Sequence, residues 1–338
     1  MKLLALPLVA SLLATSSALP VLEDRGPAAV TTSEFSDFKY YAQYAAAAYC
    51  NSGNAIGQVI SCSQSACPTV AANRAVTAST FKGSLTDIRG MVAVDSKASA
   101  IVVSFRGSTS ILNWIANLQF LQTRCDLVND CYVHTGFMTA WQETSAAVLA
   151  SVKSARAANP SYRVVATGHS LGGAVATLAA AYLRRSGIPT DLYTYGSPRV
   201  GNPAFASFVT AQAGAEWRVT HGADPVPRLP PAAWGYQHTV PEYWLGTGGP
   251  MTTNYAAGDV KLCQGLVDAG CNAGTLGLDI IAHLFYLGDT TACNNLLGRG
   301  EGGISDEELE ARVNAYAKMD LEYAAGLRNG SVAAAATA

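Results

Sequence analysis

Gly168-His169-Ser170-Leu171-Gly172-Gly173 joins two runs of different periodicity, and this junction decides the fold. Before it, Tyr162 to Thr167 is a short run that reads as a strand; after it, Ala174 to Leu183 is an alanine-rich run that reads as a helix. Gly-x-Ser-x-Gly spacing suits a sharp strand-to-helix turn, because glycines let the chain fold back closely and the serine is pushed out of the bend. A helix that begins just after the serine also aims its first amides at negative charge developing beside it. Ser170 is therefore the candidate nucleophile, although these six residues alone could be an ordinary tight turn.

Working outward, Ala100 to Phe105 is an apolar, β-branched run suited to a strand covered on both faces, and Asp191 to Tyr195 and Trp217 to Thr220 read as further strands. Ala140 to Ala157 reads as a helix stopped by Asn159-Pro160, and Phe35 to Tyr49 as an opening helix. Strands alternating with helices predict an α/β-hydrolase fold, a mostly parallel central sheet flanked by helices. No internal repeat interrupts this pattern.

At its start the chain has Lys2, an apolar run from Leu3 to Leu13 and small residues ending in Ser16-Ser17-Ala18, the layout of a secretory signal peptide over residues 1–18. That run is too short for the roughly 20 residues a membrane-crossing helix needs, so export rather than a transmembrane anchor is expected. Residues 19–34 read as a short propeptide or arm, 35–297 as the hydrolase domain, and 298–338 as linker, helix and tail. In that last segment Gly298 to Gly303 is the linker, and Ser305 with Glu308 forms a candidate capping box for a helix to about Leu327. Ser331 to Ala338 is a low-complexity tail, and Asn329-Gly330-Ser331 is a glycosylation sequon.

Charged residues make up 14% of the chain and the net charge is −2, which supplies no basic field for nucleic acid. Eight cysteines in an exported chain point to four disulfides. Cys62 with Cys67, Cys125 with Cys131 and Cys263 with Cys271 would staple local loops, leaving Cys50 and Cys293 to tie the ends of the domain, though spacing does not select this pairing uniquely. No paired Cys-x2-Cys spacing suggests a zinc site, so neither metal nor cofactor is expected.

A serine hydroxyl is a weak nucleophile at neutral pH, so acyl transfer requires a histidine to take its proton and a carboxylate to hold that histidine. In this fold the three follow the order serine, acid, histidine. Asp224 stands just after the Trp217 to Thr220 strand, in His221-Gly222-Ala223-Asp224-Pro225-Val226-Pro227, where strand-end loops carry active sites. An aspartate before proline is also a common turn residue. Of the five histidines, His238 and His283 satisfy the order, and spacing does not choose between them.

Gly168 to Gly173, Ser104-Phe105-Arg106-Gly107-Ser108, Tyr195-Gly196-Ser197-Pro198-Arg199-Val200-Gly201-Asn202 and Asp224 to Pro231 together resemble the filamentous-fungal class 3 lipases, over roughly Phe35 to Cys293. The resemblance implies that the histidine is His283, within Asp279 to Tyr286, and that His238 is structural. It also implies an oxyanion hole built from Ser108 and Leu171. The Cys263 to Cys271 insert resembles an additional loop disulfide of some members. Ser110 to Leu118 lies where that family carries a short amphipathic lid, with Ile111, Trp114, Ile115 and Leu118 on one helix face and Leu112 beside them.

An apolar lid can exchange burial against the protein for burial in lipid, which favours acylglycerols at a lipid–water interface. Feruloyl esterases, which resemble the same family, have a more polar segment there and represent the soluble-ester alternative. A non-catalytic lipid-binding protein is a remoter one. The expectation is a secreted, monomeric serine esterase with an acyl-enzyme intermediate, acting on tri-, di- or monoacylglycerols.

Overall fold

The computed structural model describes residues 29–290, 292–293 and 304–329. The expected signal peptide, most of the 19–34 arm, the 298–303 linker and the tail after Asn329 lie outside them. Helix α1 (Thr32–Asn51) and the short α2 (Pro68–Asn73) precede strands β1 (Val76–Lys82), β2 (Arg89–Asp95) and β3 (Ala100–Phe105). Helix α3 (Ile111–Asn117), the hairpin β4 (Gln122–Arg124) and β5 (Tyr132–His134), and α4 (Thr135–Ala158) lead to β6 (Arg163–His169) and α5 (Leu171–Arg185). There follow β7 (Thr190–Tyr195), α6 (Pro203–Ala211), β8 (Glu216–His221), β9 (Glu242–Leu245), β10 (Val260–Cys263), α7 (Ile280–Leu284) and α8 (Asp306–Arg328).

The main sheet runs β1-β2-β3-β6-β7-β8-β9-β10. Its centre, from β3 to β9, is parallel, and antiparallel strands close both edges. Strand side chains point alternately to opposite faces, so a strand covered on both sides feeds two cores. β3 does this: Ile101, Val103 and Phe105 join the core beneath α4 and α5, while Ala100 and Val102 join the one beneath α1. On the α1 face, Tyr193 stacks between Tyr41 and Trp217, with centroids at 4.3 and 4.4 Å.

The four disulfides are Cys50–Cys293, Cys62–Cys67, Cys125–Cys131 and Cys263–Cys271, the pairing favoured by local proximity. α1 begins at Thr32, ahead of the sequence-based boundary, because Thr31 and Glu34 form a reciprocal capping box. At α8 the Ser305 hydroxyl accepts from the Glu308 amide, and the Glu308 carboxylate lies 3.8 Å from Arg312.

α8 belongs to the body of the protein. Leu309 and Val313 are buried in an apolar cluster with Ile111 and Ile115 of α3, Val226, Ile280 and Leu284. Tyr316 packs edge-on against Phe120 and Trp234, and Asn314 accepts from the Gly277 amide at 2.7 Å. Asp320 reaches Arg199 at 2.7 Å, with both side chains buried. The same Arg199 Nη1 also donates to the carbonyls of Arg228 and Pro230, both at 2.8 Å. Removing one partner of such a pair leaves a buried charge without compensation. Asp320→Ala is therefore expected to destabilise the protein by about 3–5 kcal/mol in denaturant unfolding; a loss within the error of a surface substitution would mean that Arg199 finds another counter-charge.

Three of the five histidines, His134, His169 and His238, are buried with their pKa values pushed down chiefly by desolvation, His134 to about 4. They are neutral when folded and bind protons below about 6.5 when unfolded. Stability therefore falls as pH drops below 6.5, and for His134 this continues to about pH 4. Each contributes a slope of up to about 1.4 kcal/mol per pH unit. Between pH 6.5 and 5, where carboxylates contribute little, proton uptake on unfolding should rise from about 1.5 to nearly three, and a flat profile of unfolding free energy would contradict the assignment.

Candidate active site

The serine turn is built by contact. A Cβ on Gly168 would lie 2.3 Å from the Gly172 backbone, and one on Gly172 would lie 2.2 Å from the Phe105 carbonyl oxygen, so neither position has room for a side chain. α5 can thus begin directly against the ends of β3 and β6. Ser170 itself takes φ 58° and ψ −132°, and its amide donates to the Tyr195 carbonyl at 2.9 Å. A non-glycine residue in so sparse a region costs about 1–3 kcal/mol and persists only where its surroundings enforce it.

Asp224 stands three residues beyond β8, and its Oδ1 accepts the Val226 amide at 2.8 Å. Its Oδ2 accepts His283 Nδ1–H at 2.8 Å and the Tyr286 hydroxyl. Asp224 and His283 are fully buried. The backbone at Asp224 is held as well, since the Asn272 side-chain amide donates to its carbonyl at 3.0 Å. Gly196 packs against this group: a Cβ there would lie 2.9 Å from Asp224 Oδ2 and 3.0 Å from His283 Nδ1. Ser170 Oγ and His283 Nε2 are both buried and have no hydrogen-bond partner among the described residues.

His238, the other histidine in the right order, is committed elsewhere. Its Nε2 donates to the Pro227 carbonyl at 2.7 Å, and burial beside Arg218 and Arg199 holds it neutral. The loop after Asp224 is braced by Arg228, which donates to the carbonyls of Thr275 at 2.8 Å and Gly277 at 2.5 Å. Burial lowers the Arg228 pKa to about 10.

The Arg106-Gly107-Ser108 loop lies against the serine turn, for a Cβ on Gly107 would stand 2.7 Å from the His169 carbonyl and 3.2 Å from Ser170 Cβ. Leu171 is the first residue of α5. The Ser108 hydroxyl is engaged with the start of α3: it donates to the Ser110 carbonyl at 3.2 Å and accepts the Ser110 amide at 3.3 Å. α3 carries the expected apolar residues, with Ile111 and Ile115 buried and Leu112, Trp114 and Leu118 partly buried in the cluster shared with α7 and α8. It is also tied down by Trp114 stacking on Phe137 and by Arg312 donating to the Ala116 carbonyl at 3.2 Å.

Several residues around this site were not singled out from the sequence. Tyr286 lies three positions after His283, at the end of the same segment, and Asn272 directly follows Cys271; nothing local in the sequence shows that either side chain meets Asp224. His169 and His221 were set aside because their order in the chain rules them out as the general base, yet each contacts the backbone of α7, at 2.7 and 2.9 Å.

Residues 102–234 match the family model described as lipase (class 3), and residues 6–77 match that of the lipase 3 N-terminal region. The chain is 51% identical over 303 residues to the secreted mono- and diacylglycerol lipase 1 of Fusarium solani, covering 90% of each. It is 42% identical over 280 residues to the secreted mono- and diacylglycerol lipase A of Penicillium cyclopium, covering 81% of this chain and 89% of that one. The solved mono- and diacylglycerol lipase from Aspergillus oryzae superposes with a TM-score of 0.73 at 39% identity, over 78% of this chain and 99% of its own. The strand-to-helix serine turn, the sheet around it and these likenesses agree, and the chain belongs to the class 3 lipase family.

Proposed function

We propose that this protein is a secreted acylglycerol lipase in which Ser170 attacks the ester carbonyl, His283 moves the proton and Asp224 orients His283. Ester hydrolysis of the lipase kind follows from membership of the family, and secretion from the relatives' being secreted lipases. The observation that carries the residue assignment is the buried 2.8 Å bond from His283 Nδ1–H to Asp224, which leaves Nε2 as the free proton acceptor. The bond fixes the tautomer and stabilises the imidazolium that forms when Ser170 loses its proton. Collapse of the tetrahedral intermediate releases the alcohol and leaves an acyl-serine, which water then hydrolyses by the same route in reverse.

Negative charge on the carbonyl oxygen would be met by the amides of Leu171 and Ser108, and one such donor is worth about 3 kcal/mol of transition-state stabilisation. The Ser108 hydroxyl is a further donor once released from Ser110. Movement of α3 would therefore do two things together, freeing that hydroxyl and opening a path to a serine that is otherwise buried. Moving α3 exposes the apolar side chains of Ile111, Leu112, Trp114, Ile115 and Leu118, which is unfavourable in water and favourable against lipid. This supports acylglycerol at an interface over a soluble ester as the preferred substrate.

Ser170→Ala should abolish turnover of a short-chain nitrophenyl ester, and Asp224→Asn should lower kcat by about four orders of magnitude through the wrong histidine tautomer. Near-normal activity in either variant would refute the assignment. With tributyrin, the rate should rise sharply as substrate passes its solubility limit; equal rates above and below it would remove the role given to α3. Emulsions of tri-, di- and monoacylglycerols assayed beside a feruloyl ester identify the preferred substrate.

A further inference from the structure

The backbone of α7 is held by two imidazoles that the reaction itself does not use. α7 has five residues, far too short to be stable alone, and the last carbonyls of any helix lack partners within it. Three consecutive ones are satisfied from outside. The Ala282 carbonyl accepts His221 Nδ1–H at 2.9 Å, the His283 carbonyl accepts His169 Nε2–H at 2.7 Å, and the Leu284 carbonyl accepts the Thr290 amide and hydroxyl at 3.1 and 2.8 Å. His169 is the residue immediately before Ser170, and His221 lies three residues before Asp224. The strands that deliver the serine and the aspartate thus each send an imidazole to the backbone of the helix that delivers the histidine.

The state of His169 follows from its partners. A carbonyl only accepts, so Nε2 carries the hydrogen; burial and the nearby His283 ring keep the imidazole neutral, so Nδ1 is an acceptor. Tyr49 Oη, 3.0 Å from Nδ1, must then be the donor. The same hydroxyl packs against the loop that carries Ser108, where a Cβ on Gly107 would lie 2.1 Å from it. Hydrogen bonds therefore run from Tyr49 through His169 to the His283 carbonyl, and Tyr49 is pressed against Gly107 at the other end.

We propose that His169, with its tautomer fixed by Tyr49, is a positioning residue that sets the distance from His283 Nε2 to Ser170 and to the Ser108 loop, and that His221 is its counterpart on the aspartate side. This rests on the assignment of Ser170, Asp224 and His283 made above. The bond to Asp224 fixes the rotation of the His283 ring. The bonds to the carbonyls fix where its Cα stands, and a displacement of about 1 Å in such an arrangement costs about 100-fold in rate.

The test uses the full-length protein, a soluble nitrophenyl ester, and kcat expressed per active site titrated with a phosphonate, so that loss of folded enzyme does not count. His169→Leu is expected to lower kcat roughly 10- to 100-fold with KM within about twofold of the parent. His169→Gln, whose side-chain amide reaches the position of Nε2, should recover most of that loss. Tyr49→Phe, which keeps the packing and removes the hydroxyl, should lower kcat several-fold at unchanged KM, and it decides the matter if His169→Leu does not fold. Unchanged kcat per titrated site in His169→Leu, or in Tyr49→Phe where that variant decides, overturns the proposal, as does a glutamine variant no better than leucine. Ser170→Ala in parallel separates the two levels: activity there defeats the assignment beneath, whereas its silence beside an unaffected His169→Leu defeats the positioning role alone.

Discussion

The contact on which the rest depends is that of Gly172 with the Phe105 carbonyl, where a single methyl group would not fit. This contact brings the start of α5 down onto the end of β3, and Gly168 closes the other side of the same turn. With the chain so confined, Ser170 has no choice but a left-handed conformation, and its side chain leaves the turn. The Ser108 loop continues β3, so the same approach sets it beside the serine. The placement of Ser170 and of the Ser108 loop is thus one consequence of two strands and a helix sharing a point without side chains.

The remainder of the site is held by buried polar groups. Arg199 and Arg228 each donate to several carbonyls of the loops flanking Asp224, and burial makes every one of those bonds expensive to break. A guanidinium suits this work because its donors are spread in a fixed plane and can serve separate loops at once. Arg199 also meets the carboxylate of Asp320 in the interior, which comes from α8 more than a hundred residues away. α8 thereby takes part in the loop architecture beneath the site while its Leu309 and Val313 face α3 above it.

What could be read from the sequence follows from where the information is local. The serine turn, the buried strands β3 and β6 and the helices that follow carry their signal in adjacent residues: glycine spacing, β-branched runs, alanine-rich runs. The order rule reduced five histidines to two for the same reason. Beyond that, the choice of His283 over His238 came from family resemblance, because the deciding fact is that His238 Nε2 is already spent on the Pro227 carbonyl, a contact no spacing displays. The antiparallel edge strands were not read because Val76 to Lys82 and Arg89 to Asp95 alternate only weakly in burial. The reach of α8 to α3 was hidden too, since a capped amphipathic helix says nothing of what it packs against.

The choice of side chains around His283 also has an electrostatic logic. In the proposed acyl transfer this histidine becomes a cation in a fully buried place, where a neighbouring positive charge would oppose it strongly. A lysine or arginine could hold the α7 carbonyls at least as firmly as an imidazole, but with its charge a few ångströms from the forming imidazolium. His169, its ring centre 4.5 Å from that of His283, donates the hydrogen bond without the charge. The two guanidiniums that brace the site are spent on loop carbonyls instead, those of Arg228 and Pro230 for Arg199 and those of Thr275 and Gly277 for Arg228. A neutral donor next to His283 is the arrangement in which rigidity is gained without raising the barrier to the proposed proton transfer.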